Sequence, residues 1–333
     1  MADCSRKIAI IGDGGWGTAL SLSLLRGGHE VTVWGPFPEY IAQIEREREN
    51  KTYLPGVALP AELRWTADRA AATEGAEFVV LAVPTQYFRE VVASFAAHVP
   101  AEARVVSVAK GLDADTYKRM SEVASELLGG RPVAALSGPS HAEEVARGVP
   151  TAVVLACAES EPARELQAVF MNPRFRVYTS DDIAGVELGA ALKNVIAIAV
   201  GVSDGMGFGD NTRAALITRG LAEMTRLGVA LGARAATFAG LSGMGDLIVT
   251  CTSRHSRNRG VGERIGRGES IERILGGMKQ VAEGVRNAEL AKALGDRHGV
   301  ALPITEQVHA ILRAGRDPSE AVHALLTRRG RGE

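Results

Sequence analysis

The sequence predicts an α/β domain built on a doubly wound parallel sheet, followed by an all-α domain. In the first half, short continuous apolar runs alternate with helix-like stretches. After about Ser180 the strand-like runs largely disappear and helical segments follow one another. A glycine-rich turn joins the first apolar run to the first helix. At 333 residues the chain is long for one hydrophobic core, so two domains are expected, 1–180 and 181–333.

The apolar runs are Lys7–Ile11, Glu30–Trp34, Phe78–Val83, Arg104–Val108, Val133–Leu136 and Thr151–Ala156. They are continuous rather than alternating, which suits parallel strands covered on both faces. Helices are expected between most of them, over Thr18–Arg26, Pro38–Arg48, Phe88–Ala96 and Tyr117–Leu127. The second half predicts helices over Ile183–Val200, Asn211–Leu227, Val261–Arg267, Glu289–Gly295 and Ile304–Arg313.

Composition narrows the function classes. Hydrophobic residues at 46% and charged residues at 23% are those of an ordinary globular protein. A net charge of −1 lends no global support to a nucleic-acid or anionic-membrane partner. The N-terminus shows no apolar signal region, and no stretch reads as long and apolar enough to span a bilayer. Cys4, Cys157 and Cys251 are scattered, which suits a reducing compartment, and a cytoplasmic location is expected. The histidines have no partner at a metal-ligand spacing, so no metal site is expected.

The turn reads "IGDGGWGTAL", in which Gly12, Gly14 and Gly17 fit G-x-G-x-x-G between a strand and a helix. That context is the Rossmann-type dinucleotide-binding fingerprint. Its glycines permit a tight turn, approach of the backbone to a pyrophosphate and close helix–strand packing, and the helix N-terminus attracts the anion. The second strand should end in an acid that holds the ribose hydroxyls of NAD. Instead Trp34-Gly35-Pro36-Phe37 stands there, with Glu39 slightly later and no Arg or Lys for the 2′-phosphate of NADP. NAD and NADP both remain open, and the missing cation favours NAD.

Polar islands interrupt the apolar background elsewhere. Lys110 lies just past the Arg104–Val108 strand, at the strand end where open α/β sheets bind ligands. Gly138, Pro139 and Ser140 open a helix after Val133–Leu136, where backbone N–H groups and the Ser140 hydroxyl can hold an anion. Alternatively, Ser140 and Glu143 form a capping box. "ELGAALKNVIAIAVG" is an apolar helix that carries Lys193 and Asn194, and the helical neighbours of Lys193 include no acid. Asp246, set among glycines and apolar residues, is a candidate partner from elsewhere in the chain. Ser256, Arg257 and Asn258 place a planar donor fork beside neutral donors, a combination suited to phosphate. Such a basic loop is also compatible with simple solvation. A lysine can protonate a carbonyl oxygen as a nicotinamide delivers hydride, and an arginine-bearing loop suits an anionic substrate.

In this order the segments GDGGWGTALS, LAVPTQ, AKGL, SGPSHAEEVARG, ELGAALKNVIAIAVGVSDG, NTRAALITRGLAEM, GLSGMGDLIVTCTSRHSRN and VAEGV resemble bacterial NAD(P)-dependent glycerol-3-phosphate dehydrogenases. The resemblance covers nearly the whole chain, and LKN, GMGDL and SRN in succession are its most specific part. It implies reversible reduction of dihydroxyacetone phosphate to sn-glycerol 3-phosphate, feeding phospholipid synthesis in a cytoplasmic homodimer.

By the same resemblance Lys193 is the proton donor and acceptor at the C2 oxygen, and Asp246 orients it or binds a substrate hydroxyl. Lys110 reaches both substrate and nicotinamide, while Gly138 and Ser140 line the substrate side. Ser256, Arg257 and Asn258 hold the phosphate, with Arg257 also near the cofactor. Asn194 and Thr250 are further active-site candidates. Gly15, Trp16, Pro36, Ala142, Val281 and Glu283 join the motif glycines on the cofactor side. Two positions depart from the family: Gly35-Pro36, where a basic residue is common, and Gly15, where a small polar residue is common.

Two rivals remain. A two-domain dehydrogenase of a hydroxy acid or a sugar derivative would share the glycine motif, and its sugar-nucleotide type would need a nucleophilic cysteine such as Cys251. A non-catalytic nicotinamide sensor would need only the glycine-rich half, with no use for Lys193, Asp246 and the SRN loop.

Overall fold

A computed structural model describes residues 5–278 and 282–327. It divides into two compact units, Met1–Glu187 and Leu188–Glu333. The first is an eight-stranded sheet: β1 (Lys7–Ile11), β2 (Glu30–Trp34), β3 (Arg64–Thr66), β4 (Phe78–Leu81), β5 (Arg104–Ser107), β6 (Val133–Ser137), β7 (Thr151–Ala156) and β8 (Phe175–Ser180). The strand order is β3-β2-β1-β4-β5-β6-β7-β8. This is the doubly wound order, in which chain direction across the sheet reverses between β1 and β4 and opens a crevice at their carboxyl ends.

Successive residues of β1 face opposite layers, as the pleat requires. Ile8 and Ile10 join a core with Leu20, Leu24, Val33 and Ile44, whereas Ala9 and Ile11 join one with Val79, Phe88, Val92 and Phe95. Both faces are therefore covered, and the expected α/β architecture stands.

The sheet is not parallel throughout, however. β6 and β7 run antiparallel. The link between them carries only the five-residue helix Ala142–Ala146. Arg26 holds the end of that helix through a 3.0 Å hydrogen bond to the Val145 carbonyl and a second bond to Ala146. β3 and β8 were not expected from the sequence. β3 has three residues, and β8 alternates buried and exposed positions along most of its length, so neither is a continuous apolar run.

The second unit is helical. Its long helices are Asp210–Ala230 and Glu283–His298, with Arg257–Gly266 and Pro303–Ala314 among the shorter ones. The helix Ile183–Gly205 begins in the first unit and continues into the second. At its start Val186 packs with Ala135 and Ala156. The Glu187 carboxylate accepts hydrogen bonds from the Ser121 backbone at 2.9 Å and from Arg119 at 3.2 Å. At 23 residues this helix is long and apolar enough to cross a membrane, contrary to the sequence expectation, but it is mostly buried as a core helix.

Within the second unit Ile183–Gly205 and Arg257–Gly266 meet backbone to backbone. A Cβ added at Gly201 would lie 2.1 Å from the Arg259 carbonyl oxygen, and one at Gly262 would lie 2.1 Å from that of Ile198. Both helices must carry glycine at this crossing. Gly262→Val is expected to lower unfolding stability by about 3 kcal/mol in urea titration. Wild-type stability would show that the helices are not held this closely.

Candidate functional site

Of the candidate residues in the first unit, most lie at the carboxyl edge of the sheet. The helix after β1 begins at Gly15, three residues before the expected start, with Gly14 as its N-cap. Gly12 has φ +124°, and a Cβ there would strike the Ala82 carbonyl oxygen at 2.5 Å. A Cβ on Gly17 would lie 2.1 Å from the Gly12 carbonyl oxygen, so helix and turn are in direct contact. A Cβ on Gly14 would meet nothing within 4 Å. Backbone is thus bare at the start of a twelve-residue helix, and these residues fit the pyrophosphate of a dinucleotide.

Asn50, which sequence reasoning missed, holds the turn. Its side-chain amide donates to the Asp13 carbonyl at 2.7 Å and to the Thr18 hydroxyl at 2.8 Å. Its oxygen accepts from the Tyr40 hydroxyl at 2.6 Å and the Tyr53 backbone at 3.1 Å. Its bonds to the turn span 37 and 32 residues of sequence, so no local pattern marks it.

Lys110 follows β5, and its ammonium donates to the Gly138 carbonyl, past the end of β6, at 3.0 Å. Ser140 donates to the same carbonyl at 3.1 Å. The short helix beyond is capped by His141 and not by Ser140, so the capping-box alternative does not hold. Gly15 and Ala142 are neighbours, with 3.8 Å between the Ala142 Cβ and a Cβ placed on Gly15. Trp16 packs against the core, and its indole N–H is buried without an acceptor among the described residues. Pro36 and Glu39 are exposed beyond β2, while Gly35 is buried.

The second unit gathers Lys193, Asp246 and Thr250. Lys193 is 4% exposed and Asp246 1%. The ammonium lies 2.5 Å from Asp246 Oδ1 and donates to the Thr250 hydroxyl at 2.9 Å. Thr250 in turn donates to the Asp246 carbonyl at 2.6 Å. Asp246 opens the helix Asp246–Thr252 directly after a π-helical turn, Leu241–Gly245, a rare local geometry that concentrates at functional sites. Gly189 lets the long helix approach that turn, since a Cβ there would lie 2.7 Å from the Ser242 carbonyl oxygen.

A second cluster flanks the first. Asn258 donates to the Asn194 side-chain oxygen at 3.0 Å, and its own oxygen accepts from the Gly284 backbone at 3.0 Å. Glu283 therefore lies beside this network, in the first turn of Glu283–His298. Ser256 caps Arg257–Gly266, its hydroxyl accepting from the Arg259 backbone at 3.2 Å. Arg257 is exposed in the first helical turn. Val281 lies outside the described residues. Burial pushes the Cys251 thiol up to about 12, so it is no thiolate nucleophile at neutral pH.

Comparison with known proteins gives a consistent match. The model of the NAD-dependent glycerol-3-phosphate dehydrogenase N-terminus matches residues 7–163, and that of the C-terminus matches residues 182–323. A glycerol-3-phosphate dehydrogenase (NAD(P)+) of Pelotomaculum thermopropionicum is 51% identical over 327 residues, covering 97% of this chain and 94% of its own. That of Moorella thermoacetica is 52% identical over 322 residues, covering 97% and 96%. The crystal structure of the Coxiella burnetii glycerol-3-phosphate dehydrogenase superposes with a TM-score of 0.93 at 41% identity, covering 97% of this chain and 99% of the other.

Burial raises the Asp13 carboxyl from 3.8 to about 6. The folded chain thus keeps a proton there that the unfolded chain has already released. This stabilisation is complete below about pH 4 and is lost as pH rises through about 6. Asp13→Asn is expected to be more stable than wild type at pH 8, by up to about 3 kcal/mol, with the gain vanishing below about pH 4. Urea titrations across that range check it, and a pH-independent difference would contradict it.

Proposed function

The chain belongs to the NAD-dependent glycerol-3-phosphate dehydrogenase family, and we propose that Lys193 is the group that moves the proton of its reaction. That reaction is the reversible reduction of dihydroxyacetone phosphate to sn-glycerol 3-phosphate with NADH or NADPH, and it serves glycerophospholipid synthesis. The observation that carries the assignment is the buried contact of Lys193 with Asp246 and Thr250.

A bound nicotinamide supplies the hydride to C2 or accepts it. As C2 gains hydride its carbonyl oxygen becomes basic, and the Lys193 ammonium delivers the proton that completes the hydroxyl. In the reverse direction the neutral amine takes the proton back. Asp246 accepts from the ammonium, and Thr250 bridges the two, so the lysine is held before substrate arrives. Asn194 and Asn258 bond each other, which suits them to positioning the long helix and the phosphate loop. Arg257, exposed in the first helical turn, carries the planar donor fork suited to the substrate phosphate, with Ser256 shaping the loop as its cap.

In this reading residues 1–180 bind the dinucleotide through Gly12, Gly14, Gly15, Trp16 and Gly17, with Pro36 and Ala142 as further cofactor-binding residues, and Val281 and Glu283 are assigned to the cofactor by family resemblance alone. Lys110, Gly138 and Ser140 face the substrate, and residues 181–333 hold the proton-transfer group. A cytoplasmic homodimer without nucleic-acid or membrane partners belongs to the same proposal, supported by the near-neutral net charge of −1 and the prevalence of twofold oligomers.

Lys193→Ala is expected to lower kcat by about a thousandfold. Its NADH affinity, read by fluorescence titration, should stay within about threefold of wild type, as expected for a proton-transfer group. Wild-type turnover by this variant would refute the assignment.

A further inference from the structure

β2 lacks the terminal acid that normally holds the adenosine ribose of a dinucleotide, and Glu39 is exposed on the following helix. A carboxylate reaches the same place from another strand end. Asp13, in the first gap of the glycine motif, is only 8% exposed. Its Oδ2 is buried with no hydrogen-bond partner among the described residues. A Cβ built on Gly35 would lie 2.6 Å from that oxygen and 2.7 Å from the carboxyl carbon. The Asp13 carboxylate therefore fills the volume of a side chain at position 35. Aspartate at 13 and glycine at 35 are two halves of one arrangement.

We propose that Asp13 replaces the missing acid of β2, accepts a hydrogen bond from the ribose 2′-hydroxyl, and thereby favours NAD(H) over NADP(H). This rests on the dinucleotide reading of the glycine turn. The base of the side chain is anchored, because Asn50 and Thr18 both donate to the Asp13 carbonyl, at 2.7 and 3.4 Å. A buried carboxylate oxygen without a donor is unfavourable, and a turn of the Asp13 carboxyl out of the space beside Gly35 would exchange that position for a hydrogen bond from the ribose hydroxyl. With burial raising its carboxyl to about 6, Asp13 is still an anion at neutral pH and repels a 2′-phosphate. No basic side chain at Gly35-Pro36 offsets that repulsion.

The test is fluorescence titration of NADH and NADPH into wild type, Asp13→Ala and Asp13→Asn at pH 7.5, with thermal unfolding as the check on folding. Wild type should bind NADH at least about tenfold tighter than NADPH. Asp13→Ala should weaken NADH by about tenfold, and Asp13→Asn should tighten NADPH by a similar factor as the charge is removed. An unchanged NADH-to-NADPH ratio in both folded variants, or a wild-type preference for NADPH, would overturn the role of Asp13. Wild-type protein that bound neither nucleotide would overturn the dinucleotide reading itself, and this inference with it.

Discussion

Lys193 and Asp246 put two opposite charges side by side where almost no water reaches them. Either charge alone in that position would be strongly unfavourable, and their contact, with the Thr250 hydroxyl beside it, makes the burial tolerable. The local architecture of the second unit follows from this demand. The ammonium must emerge from an apolar helix, so its partner has to come from a distant segment at close range. Gly189 brings that helix against the π-helical turn, and the turn delivers Asp246. The glycine contacts at Gly201 and Gly262 fix the Arg257 helix against the same helix. A displacement of the pair is then opposed by backbone packing as well as by charge.

The first unit meets a different demand, which is to present bare backbone to an anion. Gly12 and Gly17 let strand, turn and helix touch, while Gly14 leaves the helix start uncovered. Asn50 ties this turn to the segment after Pro38–Glu47. Lys110 and Ser140 converge on one carbonyl, that of Gly138, at the ends of neighbouring strands. Topology explains that convergence, because parallel strands send their following loops to one edge of the sheet.

Much of this was legible in the sequence, for physical reasons. Strands buried on both faces must be apolar throughout, so β1, β2 and β4 to β7 stand out, whereas β8 alternates along most of its length and β3 is too short to show. Lys193 pointed to a distant acid because no acid stands three or four positions from it on its own helix. Long-range bonds were illegible: the Asn50 anchor, the Asn194–Asn258 contact and the Asp13–Gly35 complementarity join segments whose proximity only folding creates. The antiparallel β6–β7 junction was equally hidden, since strand direction is set by the connecting segment. The helix Ile183–Gly205 runs past its expected end at Val200 because Gly201, Ser203, Asp204 and Gly205 break the apolar pattern there.

Whether the lysine and the aspartate act as one unit is the central claim, and a double-mutant cycle on kcat/KM tests it most directly. The measurement needs Lys193→Ala, Asp246→Ala and the double variant, each shown to be folded and to bind NADH. Because Asp246 acts through Lys193, the double variant should lose no more than Lys193→Ala alone, a strongly non-additive cycle. If the two losses multiplied instead, Asp246 would have a role independent of the lysine, and the account of a single proton-transfer pair would be wrong.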